Sequence, residues 1–416
     1  MELTKKEKSG LKKTELGLIP EDWKISFIEN EIDLLTGFPF ASSKYKNTGV
    51  KLLRGSNVKR NRTDWNEDIT QYWEKITPDL KKYLLVEGDI VIAMDGSLVG
   101  KSFAQLQKKD LPSLLLQRVA RIRSEKIEIN FLKEWICSKY FTEHCERIKT
   151  SSAIPHISPK DIREFQILVP PTLKEQQTIA TALSDVDALI CSLDALIAKK
   201  KAIKQGAMQQ LLTPNENWFK TSFNEILKDY RLGGNYENIE TETDYPLIKM
   251  GNLGRGNINL NKIQYIPNSI NPSEDDILKY GDVLFNTRNT LELVGKISIW
   301  KDELPLAFFN SNIMRLEFDE KYVGSNFFMN NLLNTPRVIS DLRSLATGTT
   351  SVAAIYTKDL LKLELSIPSP KEQKSIAEIL SDMDAELEQL EAKKEKYQQI
   401  KQGMMQELLT GKTRLV

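Results

Sequence analysis

A lysine and a hydroxyl placed after a glycine turn can cradle a nucleotide phosphate and its magnesium. Gly96, Gly100, Lys101 and Ser102 come nearest to that arrangement in this chain. The run is one residue short of G-x-x-x-x-G-K-[ST], and its later echo, Leu293-Val294-Gly295-Lys296, continues with Ile297, which has no hydroxyl. ATP binding here is therefore not expected. Gly251, Gly254 and Gly256 do not follow the G-x-G-x-x-G order of a dinucleotide loop. The two histidines, His144 and His156, fall in different segments, and Cys137 and Cys145 are eight residues apart, a spacing that does not suit zinc. With Cys191, these cysteines read as buried small apolar residues. No serine triad and no carboxylate pair spaced for general acid/base work is present. Pro170-Pro171 lacks the Asn or Asp that precedes the prolines of an adenine methyltransferase motif. The residue chemistry points away from an enzyme and predicts no cofactor and no metal in this chain.

What recurs is a set of polar tips between short structured runs. One tip holds Arg54, Ser56, Asn57, Lys59, Arg60, Asn61 and Arg62, and its later counterpart holds Lys249, Asn252, Arg255 and Asn257. A second is Met94-Asp95-Gly96-Ser97, with Asp95 and Ser97 as its polar members; the matching tip is two residues longer and carries Asn286, Thr287, Arg288, Asn289, Thr290 and Glu292. A third is Thr150-Ser151-Ser152 against Thr347-Gly348-Thr349-Thr350. Arg and Asn can pair bidentately with guanine and adenine edges, whereas Lys, Ser and Thr suit phosphate. Any one tip alone reads as a solvated loop. Three tips that recur together with different residues are what reading two different DNA targets would require.

The elements that position these tips follow from an internal duplication. KEQQTIATALSDVDA (174–188) matches KEQKSIAEILSDMDA (371–385), and KQGAMQQLLT (204–213) matches KQGMMQELLT (401–410), both at an offset of 197. Landmarks continue backwards at nearly the same offset: Lys160-Asp161 with Lys358-Asp359, Asn130-Phe131 with Asn326-Phe327, LLRGSNV with LIKMGNL, and Trp23 with Trp218. The repeat predicts two diverged blocks, 1–168 with an N-terminal extension and 213–366, each followed by a long helix, 169–212 and 367–416. In the first helix Ile179, Leu183, Val186, Ile190, Leu193 and Ile197 alternate at spacings of four and three. Ile376, Leu380, Met383, Leu387 and Leu390 do the same in the second. That is a coiled-coil seam, broken by Lys200 and Lys204 in one copy and by Lys394 and Lys401 in the other. Two equivalent seams predict antiparallel pairing of rods roughly 57 Å long. The junction of the first helix with the second block is expected at Leu211-Leu212-Thr213. The blocks themselves read as mixed α/β: LLVEGDIVIAM and KYGDVLFNTR are β-rich runs opened by Gly-Asp turns, while 129–148 and 325–345 read as helices, the second interrupted by Pro336.

Composition sets the outer bounds. The 416 residues carry 58 Lys plus Arg and 57 Asp plus Glu, a net charge of +1, with 40% hydrophobic residues, which excludes wholesale disorder. Residues 1–170 carry a net +5 and residues 213–366 a net −4. Nucleic-acid binding would thus rest on local basic patches or on help from a partner. No apolar stretch approaches the ~20 residues that span a bilayer, and the basic MELTKKEKSGLKK has no apolar run behind it. The sequence predicts a cytoplasmic protein without a disulfide framework.

The chain resembles the specificity subunit of type I restriction-modification enzymes over nearly its whole length. TELGLIPEDWK, Thr36-Gly37-x-Pro39, GDIVIAMDGSLVGK and LLTGKTRL carry the likeness, and LVPPTLKEQQTIATALSD with its repeat SIPSPKEQKSIAEILSD is most specific. The resemblance implies two target-recognition domains held apart by two antiparallel helices with pseudo-twofold symmetry. It implies that each domain reads one half of a bipartite double-stranded DNA site, and that the helices fix the gap. It implies two methyltransferase subunits that use S-adenosylmethionine, and endonuclease/translocase subunits that use ATP and Mg. Two alternatives stay open here: a related system with a fused methyltransferase-nuclease partner, and a coiled-coil scaffold that binds no DNA.

Overall fold

A computed structural model describes residues 10–14, 17–150 and 154–415. The expectations for Ser151, Ser152 and the first nine residues lie outside them. The chain divides into two compact units, residues 1–194 with 393–416, and residues 195–392. Each long helix is continuous, Leu173–Leu211 and Pro370–Leu408, and passes from one unit into the other.

The first unit is built on a four-stranded antiparallel sheet in the order Phe103–Gln105, Ile90–Ala93, Val119–Arg123, Asp33–Thr36. A second sheet sets Val50–Leu53 between Ser113–Leu115, parallel, and Gln71–Trp73, antiparallel. The second unit repeats both. Ile297–Ile299, Val283–Asn286, Ile313–Phe318 and Leu227–Leu232 form its antiparallel sheet. Tyr245–Ile248 lies between Gln264–Ile266, antiparallel, and Phe308–Phe309, parallel. The diverged blocks therefore share one topology, and the mixed α/β reading holds.

The Gly-Asp turns explain how diverged sequences keep one shape. Gly88 and Gly281 both adopt φ +88°, a conformation costly for residues with a Cβ. The following aspartates close the turn from below: Asp89 accepts from the Val86 amide at 2.8 Å and Asp282 from the Lys279 amide at 2.9 Å. Each carboxylate is held by an arginine on the neighbouring strand, Arg123 to Asp89 and Arg315 to Asp282.

The helical runs differ from expectation in one respect. Residues 129–148 form two helices, Ile129–Cys137 and Lys139–Ile148, as 326–344 form Asn326–Leu333 and Pro336–Ser344. The first break needs no proline. Ser138 turns extended and its hydroxyl caps the second helix at the Phe141 amide, so a side-chain cap does there what Pro336 does at the matching place. The cysteine reading also needs one correction. Cys145 is buried and Cys137 partly so, with burial pushing both thiols up to about 12, but Cys191 sits on an exposed helix face.

The seam serves two purposes. Ile179 and Leu183 are fully buried in the first unit's core beside Trp23 and Phe131, and Ile376 and Leu380 lie in the second unit's core beside Phe223 and Phe328. Leu193, Ile197 and Leu387 are buried, while Val186, Ile190, Met383 and Leu390 are half-buried. The first turns of each helix are thus part of a block, and the ion pairs between the two helices lie on the later turns. The lysines that interrupt the pattern fix the antiparallel register. Within the first unit Lys401 meets Asp187 at 2.6 Å and Lys394 meets Asp194 at 2.5 Å. Within the second, Lys200 meets Glu386 at 2.6 Å and Lys204 meets Asp384. Asp187–Lys401 and Asp384–Lys204 are one pair duplicated by the repeat.

Two further anchors were not visible in the sequence. Gln176 and Gln373 are buried and repeat-matched. Gln176 accepts from the Glu128 amide and donates to the Pro170 carbonyl; Gln373 accepts from the Gly324 amide and donates to the Pro368 carbonyl. Arg414 grips Glu175 at 2.8 and 2.7 Å and Asp22 at 2.9 Å, and the Glu175 side chain is only 2% exposed. Arg414→Gln should lower stability by roughly 1.5–3 kcal/mol, because it strips charged hydrogen bonds from a buried carboxylate. Denaturant titration checks this, and an unchanged midpoint would remove the anchor role.

Candidate nucleic-acid interface

Each unit gathers its polar tips onto one surface, the third tip of the first unit being described only at Thr150. In the first unit, Oδ1 of Asp95 stands 3.3 Å from the position a Gly55 Cβ would take, so the 54–62 tip touches the 94–97 tip. Asp95 bridges to His156, and the Gly96 amide donates to the Pro155 carbonyl at 3.0 Å, which brings in the third segment. His156 is held in turn by the Thr150 hydroxyl at 2.9 Å. In the second unit Arg288 and Asn289 pair in a ladder with Ala354 and Ala353, and the Leu291 amide donates to the Thr350 carbonyl at 3.1 Å. Arg255 reaches from the 249–257 tip to the Glu292 carbonyl at 3.5 Å.

The surface these tips form holds most of the residues singled out above. Ser56, Arg60, Arg62, Ser97, Asn257, Arg288, Thr349 and Thr350 are exposed, and Arg54, Lys59, Asp95, Arg255 and Asn289 are half-buried at its edge. Some donors are committed locally. The Lys249 ammonium donates to Asn238 and Gln264, at 3.0 and 2.6 Å, and the Arg54 guanidinium makes a long 3.4 Å contact to the Ile69 carbonyl.

Three of the asparagines are not presented on this surface: Asn57, Asn252 and Asn286 are buried, with 0%, 4% and 0% exposure. Asn57 accepts from the Arg54 amide and donates to the Asp64 carbonyl; Asn252 accepts from the Lys249 amide and donates to the Asn259 carbonyl. They are the same loop brace in both copies, shaping the tip from within. Asn286 accepts from the Arg288 amide, which orients the longer tip. An asparagine in a tip looks alike in sequence whether it reads a base or folds its own loop. The matched RGSN and KMGN spacing was the available clue to the second role.

The glycine-lysine run is no phosphate loop. Gly100 adopts φ +77° in a turn before the strand Phe103–Gln105, and no helix begins there to offer its amides to a phosphate. A side chain at Gly100 would strike Cys145, whose Cβ is 2.6 Å from the built position, so close packing explains this glycine. Among the described residues no cluster of His, Cys, Asp and Glu could hold a metal ion, and no helix is long and apolar enough to cross a membrane.

Away from the tips, each unit also carries a cleft at repeat-equivalent residues. One of about 630 Å³ is lined by Trp135, Leu168 and Thr410, and one of about 610 Å³ by Leu332, Leu365 and Thr213.

A duplicated scaffold with two unlike polar surfaces is the architecture of a DNA sequence reader. Residues 20–205 and 221–402 each match the family described as "Type I restriction modification DNA specificity domain", and the chain belongs to this family. It is 26% identical over 431 residues to the type I restriction enzyme MjaVIII specificity subunit of Methanocaldococcus jannaschii, spanning 95% of this chain and 94% of that protein. The crystal structure of the type I restriction-modification S subunit from M. genitalium superposes with a TM-score of 0.58 at 16% identity, over 93% of this chain and 96% of that one. A chain from a structure of complex assembly and conformational transition of the type I R-M system gives 0.54 at 14% identity, over 95% and 99%. At these identities the structural likeness speaks for the fold. Specificity subunits are generally non-catalytic and cofactor-free, and the function of this family is DNA sequence recognition in a type I restriction-modification system.

Proposed function

We propose that this chain reads a bipartite double-stranded DNA site. Target-recognition domains 1–168 and 213–366 each read one half, and the helices 169–212 and 367–416 set the gap and dock two methyltransferase subunits. The convergence of the polar tips, among the described residues, on one surface in each unit supports this reading. Unlike tips on matched scaffolds fit two unlike half-sites. The repeat-equivalent clefts fit two copies of one partner. The chain itself does no chemistry in this reading: S-adenosylmethionine belongs to the methyltransferase, ATP and Mg to the endonuclease/translocase, and the complex works in the cytoplasm.

Arg288 tests the assignment of one surface to one half-site. It is exposed on the longer tip, and its backbone is paired with Ala354, so its side chain projects from a fixed point of the surface. Arg288→Ala should relax or weaken reading of the second half-site alone, by roughly 1–3 kcal/mol if a bidentate base contact is lost. Methylation profiling over half-site variants measures it, and equal loss at both halves would sink the assignment.

A further inference from the structure

Two arginines of the second unit, Arg255 and Arg343, converge on one point without an acid between them. Arg255 lies on a tip whose backbone is fixed on both sides. The Gly254 amide donates to the Asn257 carbonyl at 2.9 Å and the Gly256 amide to the Ile297 carbonyl at 2.7 Å. Asn330 donates to the Gly256 carbonyl at 3.1 Å. Arg343 comes from a different element, the last turn of the helix Pro336–Ser344, which is locked to the core through Val338 and Leu342. Both guanidinium groups point an Nη2 at the main-chain oxygen of Glu292, at 3.5 and 3.4 Å.

These contacts are long, and a guanidinium has five N–H donors, so most of the capacity of both groups is uncommitted. Three of the four other arginines of this unit are neutralised, Arg231 by Asp275 and Asp276, Arg315 by Asp282 and Arg337 by Asp341, while Arg288 stands exposed on the tip itself. Among the described residues no carboxylate lies within ion-pair distance of Arg255 or Arg343. Burial and the neighbouring Arg343 charge both push the Arg255 pKa down. Holding two like charges together in a partly desolvated place is unfavourable until an anion joins them. A helix C-terminus favours a cation at Arg343, but it does not account for the fixed arginine opposite.

We propose that Arg255 and Arg343 clamp one backbone phosphate of bound DNA beside the 286–292 tip. This inference rests on the DNA-reading function proposed above. A phosphodiester supplies the missing negative charge and accepts from two forks at once, whereas a base edge is neutral and leaves the repulsion in place. The clamp belongs to the second unit only. Its Leu342 and the first unit's Cys145 both pack on the matched glycines, Gly295 and Gly100, so the position of Arg343 corresponds to Glu146. Glu146 is engaged by Lys101 at 3.6 Å and Lys149 at 2.5 Å. The more acidic unit thus carries a phosphate hold that the more basic unit lacks.

The test is the salt dependence of DNA binding by the complex with its methyltransferase partner, for wild type, Arg255→Gln, Arg343→Gln, the double glutamine variant and the two lysine variants. Each single glutamine variant should weaken binding roughly three- to tenfold and flatten the slope of log K against log salt by about one. The loss should be the same on the cognate site and on second-half variants. The double variant should lose little more slope than either single one, since one phosphate is shared, and the lysine variants should keep most of the slope. A wild-type slope in both glutamine variants, or a loss confined to one base position, would overturn the clamp. Absence of sequence-dependent retardation by the wild-type complex would instead overturn the DNA-reading function, a separate readout in the same experiment.

Discussion

Glu134→Ala should cost the first unit about 3–5 kcal/mol, the range for breaking a buried ion network by removing one partner. The Glu134 side chain is 0% exposed and lies 2.9 Å from Lys133 and 3.2 Å from Lys401. Asp187 closes the cluster at 3.2 Å from Lys133 and 2.6 Å from Lys401. Two cations and two anions thus tie the block helix Ile129–Cys137 to stretches of both long helices within the same unit. Without Glu134, two poorly hydrated lysines share one carboxylate. Burial alone would push the Lys133 ammonium down, but Glu134, with Asp187, holds its pKa above the ordinary lysine value. In the wild type that contribution is fully present below the unfolded lysine pKa of about 10.4 and is lost only as pH rises through the higher folded value. The wild-type contribution should therefore be flat from pH 6 to about 9. In the variant, a lysine left in excess has its folded pKa lowered by burial, so the deficit should shrink as pH rises and that lysine deprotonates. Urea titrations across this range measure both the size and the sign.

The second unit provides the control. Its counterparts of Lys133 and Glu134 are Asn330, buried, and Asn331, half-buried, while the duplicated pair Lys204–Asp384 remains. That unit thus does without the block-helix ion pair, so replacing Lys133 by Met together with Glu134 by Leu should be nearly neutral, as is common when a whole buried ion pair gives way to apolar residues of similar volume. A double variant as unstable as Glu134→Ala would show that the network does more than fill a charge requirement.

How much of this was legible in the sequence depends on the range of the signal. The repeat, the two long helices and the Gly-Asp turns are written within a few residues each, and the structure follows them. The seam-breaking lysines were readable as interruptions only, because their purpose lies in Asp187, Asp194, Asp384 and Glu386, distant in sequence. The helix break at Ser138 was missed because a serine cap is a weaker signal than Pro336. The tips were found as groups, but their members were not sorted. Asn57 and Asn252 brace loops, and Arg343 was overlooked because it stands on a helix and meets the 286–292 tip only in the folded unit. Side-chain direction inside a loop is set by hydrogen bonds to backbone several residues away, and no period in the sequence encodes it.

Four residues inserted into both long helices, between Asp194 and Ala195 and between Ala392 and Lys393, should lengthen the gap between half-sites by one base pair. These positions are where each helix passes from one unit to the other, so every ion pair named above stays within its own unit. The junction at Leu211-Leu212-Thr213, expected from the sequence, is the wrong place. Leu212 is 4% exposed in the second unit's core and Met208 packs against that core, so an insertion there would pull the helix off its block. Four residues add about 6 Å of rise and a rotation of about 40°. One base pair of B-DNA adds about 3.4 Å, and at 10–10.5 pairs per turn it rotates the next half-site by roughly 35°. Rise alone would favour nearly two pairs, whereas rotation favours one. Rotation should decide, because base edges must face the tips, while a surplus of about 2–3 Å along the axis can be taken up by modest DNA deformation. Two residues inserted at the same places give about 3 Å, near one base pair in length, but turn the second unit by roughly 200°. That variant should lose paired recognition altogether. Mapping methylated adenines by single-molecule sequencing reads the gap in each case. A four-residue variant that keeps the wild-type gap would assign the distance to the partners or to DNA bending, and not to these helices.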